Sequence, residues 1–179
     1  MNTLIVFYSH SGNNERLAFE LKARIGCDIH RISEVKKRNN VSILLDFLFK
    51  RKSKLSRSNA TIKDYDKVIF VAPIWSNKIA TPIRAFIDNE KRNLGKYFFI
   101  TLCNGLAGQK EKIVAELDSI VLRKPNEVTE LWINKLLPKD KQNKIKHTFS
   151  FRVSKQDLEL FDKDIESFIK LVNDCGDAI

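Results

Sequence analysis

Cysteine is scarce in this chain and scattered. Cys27, Cys103 and Cys175 form no C-x-x-C pair and match no zinc spacing, so neither a disulfide framework nor a structural metal is implied. The three histidines, His10, His30 and His147, share no metal-ligand spacing either. Six glycines and four prolines are too few for a fibrous or low-complexity protein. No apolar run approaches the roughly 18 residues that a membrane-spanning helix needs. The opening stretch Met1–Tyr8 lacks a basic leader and reads as a strand rather than a signal peptide. That predicts a cytoplasmic protein.

Several catalytic fingerprints are also missing. There is no G-x-G-x-x-G after a strand, no G-x-x-x-x-G-K-[ST] and no G-x-S-x-G. A dinucleotide Rossmann site, a P-loop and a serine-hydrolase elbow are therefore disfavoured. The loop after the first strand contains neither acidic residues nor cysteine. That excludes the carboxylate cluster of a receiver domain and the cysteine of a small tyrosine phosphatase.

What is present suits one domain, 1–179, with a sizeable core: 43% of residues are hydrophobic and 30% charged. The net charge is +10. Residues 36–63 hold nine Lys/Arg against Asp46 alone, leaving +8 there. Such a stretch attracts anions, whether nucleic acid, acidic lipid, an acidic protein or a phosphorylated small molecule. Few aromatics are free there for base stacking, which argues against nucleic acid. Residues 134–147 are a second basic stretch, read as a solvated face.

Continuous β-branched and aromatic runs predict buried strands at 3–8, 67–72 and 96–103, with weaker strands at 27–33 and 127–133. Helical spacing of apolar residues fills the gaps. Leu17–Ile25 is closed by Gly26, 41–49 is a crossover helix, and Thr81-Pro82 opens the helix of Ile83–Ile87. Further helices carry Ile113–Val121 and, from a Ser154/Asp157 capping box, Leu158–Val172. Residues 148–153 are expected to be extended, and 73–78 a loop. The apolar excess of 41–49 also suits a homodimer face.

Alternation of strand and helix gives a parallel sheet covered on both faces. Ligands in such sheets bind beyond the carboxyl ends of the strands. Three loops lie there: 9–14, 73–78 and 104–109. Ser9, His10, Ser11, Gly12, Asn13 and Asn14 offer hydroxyls, amides, a flexible glycine and a helix N-terminus, which together can hold a phosphate. An ordinary capped turn would use the same residues. Pro73, Ile74, Trp75 and Ser76 put a large flat aromatic at the sheet edge, able to stack on a planar ring or simply to cover the sheet. Asn104 and Gly105 let backbone amides approach the same region.

Together these motifs resemble the flavodoxin family. Ser9–Asn14 resembles its phosphate loop, Tyr65–Trp75 its third strand and ring loop, and Ala80–Ile87 the helix that follows. The resemblance implies a five-stranded doubly wound α/β sheet of order 2-1-3-4-5. It also implies an FMN cofactor, with Ser9–Asn14 on the phosphate and Pro73–Ser76 flanking the ring, Trp75 stacking. Asn104 and Gly105 would lie on the ring's far side. The implied activity is electron transfer or NAD(P)H- or quinone-type reduction, with a redox partner or small-molecule acceptor. No residue is assigned an acid–base role. The family's electron carriers are typically acidic, whereas a positive field favours the reduced, anionic flavin and raises its potential. The alternative is a flavodoxin-fold protein without flavin that binds an anionic partner through segment 36–63.

Overall fold

The computed structural model describes residues 2–33 and 62–175. The expected helix at 41–49 and nearly all of the basic segment 36–63 lie outside the described residues. Five strands make one parallel sheet: β1 (Thr3–Phe7), β2 (Asp28–Arg31), β3 (Lys67–Val71), β6 (Lys96–Cys103) and β7 (Glu127–Trp132). Their spatial order is β2-β1-β3-β6-β7. Counting only these five in chain order, that is the 2-1-3-4-5 arrangement expected from the sequence. The central strands β1, β3 and β6 are buried almost throughout because each is covered on both faces, whereas the edge strands β2 and β7 carry charged residues and are partly exposed.

Alternate residues feed two cores. Leu4 and Val6 of β1, Tyr8 just beyond it, Phe70 of β3 and Phe99 of β6 point to one side. There they meet α2 (Thr81–Glu90) and α3 (Gln109–Val121). Ile5, Phe7, Ile69 and Phe98 point to the other side. They meet α1 (Asn13–Ile25) and α6 (Asp162–Asp174), whose Ile165, Phe168 and Val172 are buried. Gly26 closes α1 in the left-handed conformation, its N–H bonding to the Lys22 carbonyl. At the far end of the sheet Lys67 is buried and donates to the carbonyls of Val172 (2.6 Å) and Asn173 (3.1 Å). A cation thus meets the negative end of α6.

Four expectations need correction. First, residues 73–78 are not an irregular loop. They form a miniature antiparallel hairpin, β4 (Ile74–Trp75) with β5 (Lys78–Ile79). Ser76 and Asn77 both take positive φ (49° and 63°), the backbone that a two-residue hairpin turn demands. Second, α2 is capped by Ala80, one residue earlier than the Thr81 cap the sequence suggests, and Pro82 lies within its first turn.

Third, residues 148–153 are not a continued strand. Ile145–Ser150 is a short helix, α4, and only Phe151 onward is extended. The extended piece finds a side chain in place of a strand partner. Asn13 Nδ2 donates to the Phe151 carbonyl (2.9 Å), and Val153 N–H donates to Asn13 Oδ1 (3.0 Å). Fourth, the last helix is two. The Ser154/Asp157 capping box is present and opens α5 (Lys155–Glu159), but the chain turns at Leu160–Phe161 before α6. The buried face runs on through the turn as Leu158, Phe161 and Ile165.

Candidate functional site

Parallel strands bring the loops that follow β1, β3 and β6 to one edge of the sheet, and these strands are immediate neighbours. The three candidate loops are thus collected by topology. Specific contacts then join the first loop to the second, and the start of α1 to the strand that leads into the third.

The first loop leaves β1 at Tyr8, whose N–H bonds to the Val71 carbonyl (3.0 Å). Ser9 Oγ accepts the Gly12 N–H at 3.1 Å, closing the turn. Gly12 is the N-cap of α1, at φ 90° and ψ −17°, and no side chain caps the helix. A Cβ on Gly12 would meet nothing within 4 Å, so the space beside the N-cap is open. The first-turn N–H groups of α1 therefore present a partial positive charge to that space. The carboxylate of Glu15, in that first turn, is drawn to Arg31 at 2.6 Å. The Arg31 guanidinium also lies 5.7 Å from the centre of the Phe7 ring. His10 is exposed and Ser11 half-buried.

Asn13 and Asn14 differ from the other loop residues. Both are buried, and both side chains turn into the protein. Asn13 holds the 151–153 segment, as described. Asn14 makes a paired contact with Leu102 of β6, donating to its carbonyl (3.1 Å) and accepting its N–H (2.9 Å). What these residues present to the open space is backbone.

Trp75 is half-buried on the β4–β5 hairpin. Its ring meets Tyr8 edge-on at 5.9 Å and His10 edge-on at 6.3 Å, which joins the first and second loops. The hairpin is held from below by Glu116 of α3, which accepts the Ile79 N–H at 2.8 Å. Burial pushes the Glu116 carboxyl above its ordinary range, against the pull of the Ile79 N–H and of Arg84. Arg84 Nε stands 3.0 Å from Glu116 Oε1 without hydrogen-bond alignment, so that pair is purely electrostatic.

The third loop follows Cys103. Gly105 has φ 84°, and a Cβ there would lie 2.5 Å from Trp132 Cγ. The absent side chain is therefore filled by Trp132, which packs beneath the loop. Glu130 gathers this corner: it accepts from Gln109 Nε2 and, at 3.4 Å, from Trp132 Nε1. Burial, reinforced by Glu130, pushes the Cys103 thiol up to about 12, so this cysteine is inert at neutral pH. Among the described residues, no group of His, Cys, Asp or Glu could hold a metal ion.

Sequence reading missed Tyr8, Trp132, Glu116 and the clamping role of the two asparagines. Tyr8 was legible as an aromatic entering the loop. The others depend on pairings more than 25 residues apart, for which no local signal exists.

A family model described as a flavodoxin domain matches residues 50–174. Solved structures agree on the fold. A flavoprotein of Lactobacillus acidophilus, crystallised in complex with FMN, is 21% identical with a TM-score of 0.63, over 72% of this chain and 92% of that one. A protein of Bacteroides eggerthii assigned as a flavoprotein is 15% identical with a TM-score of 0.68, over 96% and 98%. A mutant of the flavodoxin of Pseudomonas aeruginosa is 11% identical with a TM-score of 0.53, over 97% and 99%. No curated protein matches the chain.

Proposed function

Because the chain belongs to the flavodoxin domain family, we propose that it is a single-domain FMN-binding protein of electron transfer or NAD(P)H- or quinone-type reduction. The observation that carries this reading is the bare N-terminus of α1. Gly12 gives it no side-chain cap and leaves free the place where a Cβ would stand, and His10 of the same loop meets Trp75 edge-on. A phosphate there meets backbone N–H groups and the hydroxyls of Ser9 and Ser11, and needs no Lys or Arg. Asn13 and Asn14 serve by shape, fixing the helix end against β6 and the 151–153 segment.

FMN, when bound, supplies one- and two-electron transfer at its ring. This chain's residues bind and orient it. Pro73–Ser76 flank the ring, and Trp75 offers it an indole face. Asn104 and Gly105 bring backbone to its far side, with Trp132 as their support. His10, exposed against Trp75, lines the space between phosphate and ring. The +10 charge stabilises the anionic reduced flavin and raises its potential relative to an acidic carrier.

Comparison of FMN with riboflavin tests the phosphate assignment. Titrated by quenching of flavin fluorescence, FMN binds at least roughly a hundredfold more tightly, the scale of two charge-assisted hydrogen bonds. Gly12→Ala, strained at φ 90°, removes most of that advantage. Equal affinity for the two flavins would overturn the placement of the phosphate.

A further inference from the structure

The segment 133–153, between β7 and α5, carries charge that the flavin reading does not use. It holds six cations, Lys135, Lys139, Lys141, Lys144, Lys146 and Arg152, against one acid, Asp140. All six are exposed. Among the described residues no carboxylate pairs with any of them. Lys144 Nζ donates to the Asp140 backbone carbonyl (2.8 Å), and Lys135 lies over the Trp132 ring at 5.3 Å. Arg152 caps the carbonyls of Phe149, Ser150 and Phe151.

The segment is nonetheless a built element. Asn134 and Asn143 bond twice, side chain to side chain at 2.9 Å and Asn143 N–H to Asn134 Oδ1 at 2.7 Å, which closes 134–143 into a knot. Gln142 Nε2 donates to the Leu137 carbonyl (2.8 Å). Ile133, Leu137 and Val153 are buried and anchor it. It starts directly after Trp132, which packs beneath Gly105, and its other end is held by Asn13 at the start of α1. Phe149, 60% exposed, stands within the same stretch of cations.

We propose that this segment docks the protein on an anionic lipid surface, with the lysines on the headgroups and Phe149 at the acyl boundary. Composition selects lipid over an acidic protein. Protein interfaces enrich arginine and deplete lysine, whereas five of these six cations are lysines. Runs of four to eight basic residues beside an exposed aromatic suit anionic headgroups, which demand charge rather than fixed hydrogen-bond geometry. Docking of this kind brings the 104–108 loop and the start of α1 towards the bilayer. Only the consequence that a membrane-dissolved electron acceptor is then within reach rests on the flavoprotein reading.

Cosedimentation of the full chain with vesicles tests the docking without reference to flavin. The chain partitions onto vesicles of phosphatidylcholine with about one third phosphatidylglycerol, a composition chosen to give a strongly negative surface. It stays in solution with phosphatidylcholine alone and is released by raising the salt several-fold. Lys139→Gln, Lys141→Gln and Lys146→Gln together lower the partition coefficient about a hundredfold, at about fivefold per lysine. Phe149→Ala lowers it a few-fold. Lys112→Gln, Lys163→Gln and Lys170→Gln, the same charge change on α3 and α6, leave it within several-fold of the parent. Equal losses in the two triple variants would overturn the proposal. So would binding to an acidic protein or nucleic acid without binding to the anionic vesicles.

Discussion

Asn14 satisfies both backbone groups of Leu102 with one side-chain amide, and it does so in a buried position. A hydrophobic replacement of similar size leaves a buried donor and a buried acceptor without partners. Asn14→Leu is therefore expected to lower stability by about 2–4 kcal/mol, read from the urea midpoint at constant slope. An unchanged midpoint would show that the pair contributes nothing. The same residue marks the limit of sequence reading at this scale. Asparagine after a glycine at a helix start announces a turn or a cap, and both fit the local chain. Only the approach of β6, 88 residues away, turns the amide inward. Gly105 teaches the converse. Its glycine reads from the sequence as backbone free to approach a ligand, and the structure adds a second need for glycine there, since a Cβ would meet Trp132.

The β4–β5 hairpin shows how a short element is held in place by its neighbours. Two residues per strand cannot sustain a hairpin alone, and Ile74 and Ile79 pair over only that length. The Glu116 carboxylate supplies the missing anchor through the Ile79 N–H. Its carboxyl is raised by burial, so the charge itself is a cost and the hydrogen bond is the gain. Glu116→Gln, which keeps an acceptor and drops the charge, is expected to alter stability by less than about 1 kcal/mol. Glu116→Ala orphans the Ile79 N–H. It is expected to loosen the hairpin, shifting tryptophan emission to longer wavelength as Trp75 becomes wetter. Identical spectra for the two variants would contradict this. The hairpin escaped sequence reading because Ser76-Asn77 is a weaker turn signal than Asn-Gly. The long strands were legible because burial on both faces writes an unbroken apolar run. The final helix was legible as a face but not as a break: Leu158, Phe161 and Ile165 keep helical spacing through the turn.

At the scale of the whole molecule, buried ionisable groups set the alkaline limit. Burial pushes Cys103 up to about 12 from 9.0, and Tyr97 up to about 12 from 10.0. Below pH 9 both groups are protonated in either state, and their contribution to stability is complete. Above it the unfolded chain releases these protons first, so stability falls as pH rises from 9 towards 12. The urea midpoint is expected to be lower at pH 10.5 than at pH 8, with a shallower decline in Cys103→Ala. A decline of equal slope in the variant would remove Cys103 as a cause. Fold class was readable because alternating elements and buried runs leave few topologies, and the strand order came with the family resemblance. The joint placement of the loops followed from that topology, whereas the clamps between them did not. The gathered loops are expected to hold FMN. The direct measurement is the visible absorption spectrum of the protein mixed with FMN and then freed of excess by gel filtration. A retained flavin band at about one FMN per chain, weakened in Trp75→Ala, is the expected result. A colourless protein even after saturating FMN would contradict it.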